Sequence, residues 1–97
     1  MPGVVVGLCT VELQVPASAS LKDKRSVVKS LIAGIRREHN VAVAEVGHLD
    51  SWQLATVACS CVTNDVGRAH ALLQRVVARI EADRHGVVLL DYEIEIL

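Results

Sequence analysis

The segment EVGHLDSWQ gathers Glu45, His48, Asp50 and Trp52 into one short stretch. A histidine beside a carboxylate is the smallest group that can move a proton near neutral pH, and the same pair can help to hold a metal ion. Loops also collect these residue types for capping, turns and packing, which is the expected use here, so no catalytic residue and no metal site are assigned. Trp52 could stack on a base or a partner. As the only Trp of a chain with one Tyr and no Phe, it is expected instead to cover an edge of the core. Cys9, Cys59 and Cys61 are odd in number and lack CxxC spacing, which argues against a disulfide framework or a structural zinc site. Alternation puts all three on the side of Val11 and Val57, where they read as small buried thiols. No GxGxxG, Walker, HExxH or GxSxG pattern is present. No cofactor is expected, and the residues point away from an enzyme.

A second concentration of chemistry lies in SASLKDKRSVVKSLIAGIRREHN, residues 18–40. At roughly 100° per residue, Lys22, Arg25, Lys29 and Arg36 share an arc of about 60° on a helix, beside its apolar stripe. Arg68, Arg75 and Arg79 share one side of a later helical segment, whereas Glu12, Asp91, Glu93 and Glu95 are expected on the far face of a sheet. Such rows either track phosphates, releasing counterions without reading bases, or are ordinary solvated helix faces. Lys24 is different, because the same wheel points it into the apolar side. There a cation must reach an edge or meet a carboxylate, and an ion pair is the expectation over a ligand contact.

The chain total hides this pattern. Ten Lys and Arg face eleven Asp and Glu, for a net charge of −1, which excludes a globally basic protein and confines any nucleic-acid role to a local patch. A hydrophobic share of 52% with almost no aromatics implies a core of Val, Leu, Ile and Ala. The opening MPGVVVGLCTVELQV lacks a basic leader and is broken by Glu12, so neither a signal peptide nor a membrane span is expected, and a reducing cytoplasm fits the cysteines.

The elements that must position these groups follow from periodicity. Residues 4–15 end in strand-like alternation. Ser20 can cap a helix starting near Leu21, with Asp23 in its first turn and Leu21, Val28, Leu31, Ile32 and Ile35 as its apolar stripe, and Asn40 is expected to end it. Residues 41–46 and 54–63 read as a hairpin with a long loop. Asn64 is expected to cap a second helix whose stripe is Val66, Ala69, Leu73, Val76, Val77 and Ile80, running to about Arg84, with Gly86 ending it in a left-handed conformation. VVLLDYEIEIL then alternates Leu90, Tyr92, Ile94 and Ile96 against its acids. The order βαββαβ predicts one α+β domain over 1–97 of ferredoxin-like type, with a four-stranded antiparallel-type sheet in order 4-1-3-2 and two helices on one face. Val4, Val6, Leu8, Leu54, Ala58 and Val62 should lie on the open face, an apolar area that suggests self-association through the sheet. Its lack of aromatics on the central strands argues against base stacking there.

SLKDKR at 20–25, NVAVAEV at 40–46, HLDSWQ at 48–53, TND at 63–65 and the terminal LDYEIEIL together resemble the YlxP-like family of small bacterial proteins. The resemblance runs nearly end to end. It implies a ferredoxin-like fold and, because the family's genes tend to lie among translation and ribosome-maturation genes, a role near RNA or the ribosome. It brings no activity and no catalytic residue. The chain departs from the family pattern at His39, where Phe is usual, and at Gly47, where Asp is usual, which weakens any metal or acid–base role for the loop. The expectation is therefore a non-catalytic factor that binds structured RNA or a ribosomal particle. The alternative is a homodimeric interaction or small-molecule-responsive module, and an enzyme using His48 and Asp50 ranks below both.

Overall fold

The structure, a computed structural model, describes residues 3–97. Its elements are β1 (Val5–Gln14), α1 (Leu21–Glu38), β2 (Ala42–Gly47), β3 (Leu54–Thr63), α2 (Val66–Glu81) and β4 (Val88–Ile96). The strands form one antiparallel sheet in the order β2-β3-β1-β4, with β1 and β3 at its centre. This is the ferredoxin-like arrangement that the element order predicts.

Alternation on the two central strands decides what is inside. Cys9, Val11, Leu13 and Val15 from β1 and its end, with Ala55, Val57, Cys59 and Cys61 from β3, face the helices and are buried. They pack against Val28, Leu31 and Ile35 of α1 and Ala69, Leu73, Val76, Val77 and Ile80 of α2. Aliphatic side chains of this size let α2 come so close to β1 that a Cβ at Gly7 would lie 2.9 Å from Leu73 Cδ1. The helices divide the sheet between them, α1 lying over β2 and α2 over β1, β3 and β4.

The N-cap of α1 is as expected, with Ser20 Oγ accepting from the Asp23 N–H at 3.0 Å. His39, in extended conformation, ends this helix one residue before Asn40. Four other expectations are corrected. Asp65, not Asn64, caps α2, its Oδ2 accepting from the Arg68 N–H at 2.8 Å. The helix stops at Glu81, because the Asp83 carboxylate takes the N–H groups of His85 and Val87 and folds the chain into a turn. Gly86 has the left-handed φ of 101°, but within that turn and beyond the helix end. In β4, a bulge opposite Glu12 and Leu13 leaves Leu90 unpaired, so it is 53% exposed instead of joining Ile94 and Ile96 on the inner face.

Candidate functional site

The register lays out the open face of the sheet in rows. Val62 lies opposite Val6; Ser60 lies between Ala42 and Leu8; Ala58 lies between Ala44 and Thr10. Across β1, the β4 edge sets Glu95 beside Leu8, Glu93 beside Thr10 and Asp91 beside Glu12. The open face is therefore apolar and small toward β2 and acidic toward β4. Val4 and Val62 are fully on the surface, whereas Val6, Leu8, Leu54 and Ala58 are half-buried by their neighbours.

The opposite, helical layer carries the cations. Lys22, Arg25 and Lys29 on α1 and Arg68 and Arg75 on α2 are exposed, and among the described residues none of these five side chains makes a hydrogen bond or ion pair. Arg25 and Lys29 flank a hollow of about 280 Å³ over β2, floored by Val28 and Ile32. Arg68 and Arg75 line another, about 430 Å³, with Asn40 and Thr63 at its rim. The other two members of the expected rows are engaged within the fold. Arg36 reaches the β2 edge and donates to the Val43 carbonyl at 2.7 Å, and Arg79 donates to Glu38 at 2.6 Å. Both partners are distant in sequence, so helical position alone does not show them.

Lys24 lies where its position on the wheel puts it, with no exposed surface. Its ammonium donates to Glu45 Oε2 at 2.6 Å and to the His48 carbonyl at 3.0 Å. One buried cation thereby ties α1 to β2 and to the β2–β3 loop. His48 has a φ of 56°, the left-handed region that costs a non-glycine residue on the order of 1 kcal/mol. Its carbonyl is held from two sides, by Lys24 and by the Ser51 N–H at 2.9 Å. Just before it, the bulge at Gly47 brings the backbone against Thr56, where a Cβ would lie 2.7 Å from Oγ1.

This geometry disperses the residues that the loop sequence groups together. Glu45 points to the helix side and is taken by Lys24, while the His48 imidazole turns the other way, its Nε2 3.8 Å from Glu12 Oε2. Glu12 also accepts from the Thr56 hydroxyl at 2.8 Å. Asp50 is exposed and makes no ion pair among the described residues, so no His48–Asp50 pair forms. Trp52 does not cover the core: it is 59% exposed on the loop that Lys24 anchors. No group of three or more His, Cys, Asp or Glu among the described residues is placed to hold a metal ion. The three cysteines are buried and unpaired; burial pushes the Cys9 thiol up to about 11, and burial with the neighbouring Cys9 and Cys61 pushes Cys59 up to about 12. Neither is a nucleophile near neutral pH. No helix among the described residues is long and apolar enough to cross a membrane.

A further cluster lies between the helices, on residues that the charge rows do not include. Ser26, Ser30 and Arg37 of α1 face Arg79 of α2 and His85 of the following turn across a pocket of about 300 Å³. The spacing of Ser26, Ser30, Gly34 and Arg37 was the available signal, because these positions form one stripe of α1.

The fold and this geometry define a small ferredoxin-like protein with a cationic helical layer. A de novo designed protein, Foldit4, has the same fold, with a TM-score of 0.55 and 16% identity over 97% of this chain and 96% of that one. Residues 6–94 match the family described as "Protein of unknown function (DUF503)", and the chain belongs to that family. It is 30% identical over 78 residues to "Uncharacterized protein YlxP" of Bacillus subtilis (strain 168), covering 80% of this chain and 85% of that one.

Proposed function

We propose that this protein is a non-catalytic factor that docks on structured RNA, as found in a ribosomal particle, through its helical layer. One observation carries the reading: Lys22, Arg25, Lys29, Arg68 and Arg75, exposed and unengaged on the two helices, stand opposite a sheet face whose charged groups are all acidic apart from the His48 edge. A phosphate backbone is attracted to the first surface and repelled by the second. The hollows beside Arg25 and Lys29 and beside Arg68 and Arg75 offer phosphates cation-flanked places to sit, and Glu45, which lines the first, is already paired with Lys24. Cosedimentation with ribosomal subunits at low salt tests the reading. Wild type should pellet with a subunit, and the Arg25→Glu, Lys29→Glu double variant should stay in the supernatant. Arg36 is unsuitable for this variant, since removing its bond to Val43 would disturb the β2 edge. Absence of wild-type pelleting would refute the proposal.

The apolar rows of the open face favour a second, compatible property, self-association through the sheet. Acids confined to the β4 side restrict its geometry. A two-fold axis along the strands sets β4 over the partner's β2, whereas an axis across them would stack acid on acid.

A further inference from the structure

The pocket between α1 and α2 is built differently from the cation rows. Gly34 is buried in the α1 stripe that faces α2, and without a side chain there the Arg79 guanidinium lies down on the helix. A Cβ at that position would be 2.6 Å from Arg79 Nη2 and 3.9 Å from Arg37 Nη2. Two guanidinium groups thus converge over one residue.

Arg79 is held there by Glu38 on its Nε and by Asp83 at 3.8 Å from its Nη1, which leaves the Nη2 donors over Gly34 without a partner among the described residues. Asp83 also lines the pocket, but its side chain is 3% exposed and its carboxylate is spent within the fold, on the His85 and Val87 N–H groups and beside Arg79. Arg37 has no partner among the described residues. Ser26 and Ser30 add hydroxyls one helical turn apart, and Val27 and Leu31 supply an apolar wall. The volume, about 300 Å³, falls at the small end of small-molecule sites, and a second hollow of about 290 Å³ adjoins it past Val27 and His85.

We propose that this pocket binds a small phosphomonoester, with Arg37 and Arg79 gripping the phosphate, Ser26 and Ser30 donating to it, and the organic part lying along Val27 toward His85. Planar guanidinium forks suit phosphate oxygens, and charge-assisted bonds in a half-enclosed site are the strong kind. The site does not rest on RNA docking: apart from Arg79, which is already engaged by Glu38 and Asp83, none of its residues belongs to the cation rows.

Ribose 5-phosphate is the probe, titrated into the full chain at constant ionic strength and followed by amide NMR, with ribose and inorganic phosphate as comparisons. Saturating shifts confined to Ser26, Val27, Ser30, Gly34, Arg37 and His85 are expected, weaker for inorganic phosphate and absent for ribose. Arg37→Gln should weaken binding about tenfold or more, the loss of one charge-assisted contact. Gly34→Ala should weaken it comparably by displacing Arg79, while helix propensity holds or raises its Tm, so that lost binding is not lost folding. The Arg25→Glu, Lys29→Glu variant should bind the sugar phosphate as wild type does, and both pocket variants should still pellet with ribosomal subunits. Shifts that rise linearly and spread to the Lys22, Lys29, Arg68 and Arg75 amides would mean diffuse counterion binding and overturn the proposal. So would unchanged affinity in Arg37→Gln and Gly34→Ala. A wild type indifferent to ribose 5-phosphate whose Arg37→Gln variant no longer pellets would assign the anion to RNA and overturn it equally.

Discussion

Replacing Glu45 by Ala leaves the Lys24 ammonium with no exposed surface and only the His48 carbonyl for a partner. Removing one member of a buried pair costs about 3–5 kcal/mol, because the surviving charge is uncompensated. In a chain of 97 residues each kcal/mol corresponds to about 4–8 °C, so Tm should fall by roughly 12–40 °C. The reverse change is milder. Lys24→Met keeps the long unbranched stem in its apolar groove and leaves Glu45, whose side chain is 17% exposed, able to regain water. The His48 carbonyl keeps its bond from Ser51. A loss of about 1–2 kcal/mol is expected, one hydrogen-bonded contact. The double variant should cost less than the sum of the two, since removing Lys24 removes the stranded charge. Urea unfolding followed by far-UV circular dichroism measures all three, with an unchanged m-value as the check that only stability has moved. If Lys24→Met proves as costly as Glu45→Ala, or the two changes add, the pair is not what ties α1 to the β2–β3 loop.

Gly47→Ala should destabilise by about 1–3 kcal/mol, because its Cβ meets both Oγ1 and Cβ of Thr56 on the paired strand, whereas His48→Gly should leave urea stability within about 1 kcal/mol by relieving the left-handed φ. The raised Cys9 and Cys59 thiols keep their protons in the folded state above 9.0, the ordinary thiol value that applies when unfolded. The unfolded state therefore holds fewer protons in that range, so their contribution is intact below pH 9, and stability measured by urea titration should fall as pH rises from about 9 toward 12. At pH 7.5 a thiol reagent should react no faster than the chain opens. Sedimentation at micromolar concentration should show a dimer, which Ala58→Asp and Val62→Asp should dissociate; a monomer into the high micromolar range would remove self-association.

Much of this was legible because the central strands alternate cleanly and Ser20 is an unambiguous cap. The wheel places Lys24 among the apolar positions, where a cation must reach an edge or meet a carboxylate, and an ion pair is the expectation. Naming Glu45 required the β2 register, and the long-range pairing of strands is not written in any local period. The same holds for Arg36 and Arg79, whose rows were visible but whose partners, Val43 and Glu38, come from other elements. Adjacent Asn64 and Asp65 are both cap formers, so composition could not choose between them. Alternation reads straight through a bulge and so placed Leu90 inside. Trp52 is expected at the core edge as the only Trp of an aromatic-poor chain, but its loop is anchored by Lys24 and by Gln53 bonds to Pro16 and Ser18, which fix the backbone without requiring the indole to pack. The interhelical pocket depends on a missing side chain at Gly34, a signal that charge counting does not register.

The salt dependence of binding to a structured ribosomal RNA fragment tests the docking surface most directly. With about four phosphates neutralised, log affinity should fall against log salt with a slope of roughly −3 to −4, and Arg25→Gln with Lys29→Gln should make the slope shallower by about 2. A wild-type slope near zero, or the same slope in a folded double variant, would contradict an RNA-docking role for the helical layer.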